Sequence, residues 1–136
     1  MKFNLCYKSY EFKMNLAAMK SFKEATGKDL WSTLTEFIYI YNTSRQKQEH
    51  TFVLMKRLSE VCDFIDSAHA LHSMAKQCNS KLPIEEIEDA MFHAGWRPGE
   101  DMDSMNEPYG LVMFQVALSI DDYFKELSTK KRDQDS

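Results

Sequence analysis

The sequence predicts a mainly α-helical domain of about five helices, opened by a short β-hairpin. Three observations carry this. Only four Gly and three Pro interrupt 136 residues, too few for a turn-rich sandwich or barrel. Apolar residues recur at helical spacing through most of the chain. Cap-forming side chains stand just before several of those stretches.

The first fourteen residues alternate instead. Phe3 and Leu5 share one parity and Phe12 and Met14 the other. This predicts a hairpin over residues 2–14, with strands Lys2–Tyr7 and Glu11–Met14 and a turn at Lys8-Ser9-Tyr10. A two-stranded ribbon is marginal alone, so its apolar face needs a helix or another chain. Asn15 caps the next element, whose stripe is Leu16, Met19 and Phe22, and Gly27 closes it as a left-handed cap. Asp29 caps a third, with Leu30, Leu34, Phe37, Ile38 and Tyr41 inside and its end at Asn42-Thr43-Ser44. Phe37–Tyr41 also suits a strand by composition; the flanking caps favour the helix.

Asn42–His50 is polar and reads as a loop. From Thr51 to Cys78, Leu54, Leu58, Val61, Ile65, Ala68, Leu71, His72 and Ala75 share a broad face. One long helix and two helices broken near Ser59 fit equally. Pro83 then opens a helix whose first turns hold Glu85, Glu86 and Glu88, complementing the macrodipole. Ile84, Ile87 and Met91 form its stripe, with Phe92 beside it, and Gly95 stops it. Trp96–Gly99 is a turn and residues 100–106 an acidic loop. The last helix runs from about Pro108 to Leu127, with Leu111, Phe114, Leu118, Asp121 and Phe124 marking its spacing and Val112, Ala117 and Ile120 widening the face. Residues 1–127 thus form one domain, and 128–136 read as a flexible polar tail.

Net charge is −4, which argues against a strongly basic nucleic-acid module. The charge is uneven. Residues 1–82 carry 12 basic and 8 acidic side chains, and residues 83–127 carry 2 and 11. The acidic half reads as solubilising surface, or as a face for a basic partner. No apolar run approaches a membrane span and no apolar signal core follows Lys2, so an intracellular protein is expected. The odd cysteine count argues against a disulfide framework.

Chemistry-bearing patterns are sparse. Cys62, Asp66, His69 and His72 share a helical face, but no Cys-x-x-Cys or His-Glu-x-x-His pair accompanies them. Cys62 reads as a small interior hydrophobe, not a nucleophile. No Gly-rich phosphate loop exists, and the short basic clusters lack an aromatic platform. Neither an enzyme nor a cofactor is expected. The informative signal is nine Phe, six Tyr, two Trp and nine Met. Part of these fill the core. The rest are interface candidates: Phe3, Leu5, Phe12, Met14, Trp31, Tyr39, Tyr41, Trp96 and Tyr109.

The order of pieces carries a resemblance. A β-like segment, Phe3-Asn4-Leu5 to Phe12-Lys13-Met14-Asn15, leads to a helix ending Ala25-Thr26-Gly27-Lys28-Asp29-Leu30. Later come Phe64-Ile65-Asp66-Ser67-Ala68-His69-Ala70-Leu71 and Leu82-Pro83-Ile84-Glu85-Glu86-Ile87. Over residues 3–95 this resembles the tail assembly chaperones of long-tailed bacteriophages. The resemblance implies a non-enzymatic factor in the host cytoplasm, absent from the mature virion. It would bind the tape-measure protein, keep its helices soluble and help recruit tail-tube protein. It also implies a longer form made by ribosomal frameshifting, for which Lys130-Lys131 is the kind of pair an A-rich slippery run encodes. A homo-oligomer fits the exposed hairpin face. The alternatives are a helical adaptor or regulator binding another protein, and, against the charge gradient, a DNA-binding regulator.

Overall fold

The computed structural model describes residues 2–5, 8–93 and 106–135. In chain order the elements are β1 (Lys2–Leu5), β2 (Lys8–Glu11), α1 (Leu16–Thr26), α2 (Leu30–Gln46), α3 (Thr51–Val61), α4 (Phe64–Ala75), α5 (Ile84–His93) and α6 (Asn106–Asp135). The chain is mainly helical with a short N-terminal strand pair, as its sequence predicts. The 51–78 segment is two helices, so six are described.

Local chemistry explains most helix ends. Asn15 accepts the Ala18 amide at 2.8 Å, and Asp29 accepts that of Ser32 at 2.9 Å. Each side chain satisfies a first-turn N–H that has no intrahelical partner. That hydrogen bonding to Ser32 holds the Asp29 carboxyl below its usual range. Gly27 ends α1 at φ 75°, a left-handed conformation that glycine enters without a Cβ penalty. The α3/α4 break lies at Cys62-Asp63, later than the expected Ser59. Asp63 accepts the Asp66 amide at 2.8 Å, and Asp66 accepts that of Asp63 at 3.3 Å. This reciprocal capping box restarts the helix. It also shifts the helical phase, so Ile65, expected inside, is exposed.

Helix α2 runs past the expected stop at residues 42–44. Its inner face continues through Ile40 to a buried Ser44. The turn then closes with Lys47 N–H donating to Thr43 O and Glu49 N–H to Ser44 O. Tertiary burial here overrides the polar composition that suggests a loop.

Helix α4 is the hub, with α1, α5 and α6 all packed on it; α2 packs on α1, α3 and α6. Ser67, Ala68, Ala70, Ser73 and Ala75 of α4 are all buried. Small side chains on several faces of one helix let neighbouring helices approach closely. Around them lie Phe12, Phe22, Phe37, Leu34, Leu58, Leu71, Met74, Ile87 and Met91. Helix α1 turns Ala18 and Phe22 inward and leaves Leu16 54% exposed, correcting the expected stripe. In α6, Val116 and Ile120 are buried and Ala117 packs on the core, while Leu118 and Phe124 are exposed, so the Ala117 and Ile120 side of the expected face turns inward.

The hairpin pairs Phe3 with Tyr10 and Leu5 with Lys8 in antiparallel register. Lys8–Tyr10, expected to turn, therefore lie in β2, and β2 ends at Glu11 instead of Met14. The ribbon docks on its own chain. Lys13 N–H donates to Met74 O at 3.1 Å, and Lys8 Nζ sits 3.1 Å from the Glu86 carboxylate on α5. The Lys8 ammonium, then Tyr10, hold the Glu86 carboxyl below its usual range. Helix α6 extends through residues 128–135, so the segment expected to fray is helical; its described side chains are exposed. The expected Gly95 stop, the Trp96–Gly99 turn and the loop up to residue 105 lie outside the described residues.

Candidate protein-binding surface

The nine sequence candidates separate sharply. Phe12 and Met14 are buried in the core, a correction to their place among interface anchors. Residues that follow a docked ribbon complete the core instead of facing solvent. Tyr41 is half-buried, and Arg45 of its own helix both donates to its hydroxyl at 2.9 Å and lies over its ring at 5.2 Å. Trp31 is 52% exposed and Tyr39 69% exposed, both on α2. Phe3 and Leu5 lie in β1 and Tyr109 in α6, where the described structure is backbone only; Trp96 lies outside the described residues.

The partner of Trp31 is Phe124, whose spacing in the sequence reads as core. The indole meets the Phe124 ring at 5.7 Å and 80°, edge to face, joining α2 to α6. Phe124 is itself 44% exposed. Tyr123, half-buried, lies 5.9 Å from Phe124 on the inner side. It lines an open groove of about 250 Å³ whose walls mix Phe12, Met14 and Met74 with Lys13, Ser119, Asp122 and Glu126. Tyr123 packs on the core and touches Phe124, so it links the core to the exposed Trp31–Phe124 pair. Leu127, less than one helical turn beyond Phe124, is also exposed and carries the apolar character along α6. Residues 121–127 of α6 carry three acids and one base, and Lys125 Nζ lies 2.9 Å from Asp121. That hydrogen bond raises the Lys125 pKa.

Sequence periodicity misses Phe124 because it counts the residue as core. The signal that locates it is the exact phase of α6, which tertiary packing sets. Further large apolar side chains stand exposed at Phe52 and Val53 on α3 and at Phe92 on α5. The His50 ring stacks on Phe52 at 5.3 Å while its Nδ1 accepts the Phe52 amide.

Two of the residues weighed for metal binding have other partners. Asp66 takes the Lys28 ammonium at 2.6 Å, and His72 Nε2 lies 2.7 Å from Leu82 O. Among the described residues, no three His, Cys, Asp or Glu gather as a metal group. The Cys62 thiol is buried, and that burial pushes its pKa up to about 11. No described helix is long and apolar enough to cross a membrane.

Fold and surface together define a small helical protein with an aromatic pair held half-open between two helices. Compared with protein-family models, curated proteins and solved structures, the chain matches none.

Proposed function

We propose that this chain is a tail assembly chaperone of a long-tailed bacteriophage. It binds the tape-measure protein in the host cytoplasm and helps recruit tail-tube subunits. The observation that carries the reading is the Trp31–Phe124 pair. Two aromatic rings from different helices are fixed against each other while about half of each faces solvent. A rigid, amphipathic aromatic contact loses little entropy on binding and suits the apolar stripe of a client helix. The order of sequence pieces over residues 3–95 supplies the phage context. A frameshifted longer form sharing this body would present the same pair.

The test is co-expression with the tape-measure protein, read as that protein's soluble yield and co-purification. The intact chain is expected to raise the yield, and Trp31→Ala with Phe124→Ala to abolish most of the gain while the chain stays folded. No gain with the intact chain removes the chaperone assignment. Capture of a different helical partner through the same pair would support the adaptor reading.

A further inference from the structure

Two exposed helix stripes match each other in spacing and oppose each other in charge. On α1, Leu16, Lys20 and Lys23 fall at i, i+4 and i+7, on one face, and all three are exposed. On α5, Glu85, Asp89 and Phe92 repeat the same spacing, again all exposed. Each stripe spans about 10 Å of helix. Laid antiparallel, Leu16 meets Phe92, Lys20 meets Asp89 and Lys23 meets Glu85. Glu24 lies to one side of the basic stripe, and the partly buried Glu88 reinforces the acidic one.

Lys20, Lys23, Glu85 and Asp89 make no ion pair among the described residues. Lys23 acts on Asp29 only through space, as a minor influence on that carboxyl, and forms no direct pair with it. Both helices pack on α4, which fixes their orientation in the body.

We infer that the α1 stripe of one copy docks on the α5 stripe of another. Each chain offers one basic and one acidic stripe. Association therefore either closes as a two-fold dimer using both contacts or runs head to tail into a ring or filament. Two short helix faces make a small interface, so the affinity is weak, in roughly the micromolar range or above. Opposite charge sets the register and makes the association salt-sensitive. The contact uses neither Trp31 nor Phe124, and it needs no client.

The experiment is sedimentation velocity on the purified full chain at tens to hundreds of micromolar. At low salt (about 50 mM) the mass should exceed 15.9 kDa and rise with concentration. At about 0.5 M salt the association should weaken roughly tenfold. Lys20→Glu with Lys23→Glu should be monomeric, and so should Glu85→Lys with Asp89→Lys. Mixing the two reversed chains should restore assembly, since each then supplies the charge the other lacks. Melting curves check that both reversed chains are folded. If one unfolds, Lys23→Ala and Asp89→Ala carry the test, each expected to weaken association severalfold. A strictly monomeric wild-type chain overturns the inference. So does assembly that survives both reversals, or a mixture that stays monomeric. Loss of client binding leaves these outcomes unchanged, so the two ideas fail separately.

Discussion

At the residue scale, Lys28 joins three elements. It sits just after the Gly27 cap, and its ammonium reaches Asp66 at 2.6 Å and Val61 O at 3.0 Å. It therefore satisfies a carbonyl near the end of α3 and pairs with Asp66, the first-turn acid that completes the α4 capping box. Its pKa is raised, chiefly by the hydrogen bond to Asp66. Its side chain is 39% exposed, so water screens the pair. Lys28→Met is expected to cost about 1 kcal/mol by urea unfolding at neutral pH. A raised pKa favours the folded state fully below the ordinary lysine value of 10.5. That contribution is lost as pH rises through the higher folded value. The gap between wild type and variant should hold to about pH 10 and then narrow. A gap already gone by about pH 8 would mean that the ammonium is not its source.

Among elements, the C-terminal half of α6 is the clearest test of packing against propensity. Residues 128–135 are helical, yet the described side chains beyond Leu127 are exposed. One local bond there, from Thr129 Oγ1 to Lys125 O, stays within the helix. Removing residues 128–136 should shift the melting temperature by no more than about 2 °C. A fall of several degrees would reveal packing of the tail against the body. The hairpin behaves in the opposite way. Its sequence advertises an apolar face in need of cover; Tyr10, with Phe12 and Met14 just beyond β2, is buried in the core, and Lys8 and Lys13 tie this segment to α5 and the end of α4. The shift of its strands follows from this docking. Tyr10 within β2 and Phe12 just beyond it are both buried, as their shared parity allows.

For the whole molecule, α4 decides whether the helices can assemble. Ala68 and Ala70 are completely buried in it, with α1, α5 and α6 around it. Ala68→Leu adds three carbons where none fit without movement. It should destabilise by about 1–3 kcal/mol, seen as a lower urea midpoint with an unchanged slope. A neutral result would mean that the helices around α4 are packed loosely.

What the sequence by itself determined is what local chemistry controls. The helical class, the caps at Asn15, Gly27 and Asp29, and the acidic start of α5 depend on groups three or four residues apart. The α3/α4 break was within reach of the same logic, since Asp63 and Asp66 stand at capping-box spacing. The expected inner residues Leu30, Leu34, Phe37, Leu54, Leu58, Leu71, Ile87 and Met91 are buried, whereas in α1, α6 and the start of α4 tertiary structure decided which side of the stripe turns inward. Leu16, Ile65, Leu118 and Phe124 have core-like character and core-like spacing, yet all are exposed. A helix with apolar residues over a broad arc can rotate by some tens of degrees at little local cost. The neighbours that pack on it select the angle. The Trp31–Phe124 pair exists only after that selection, because its two rings lie 93 residues apart and no local rule links them.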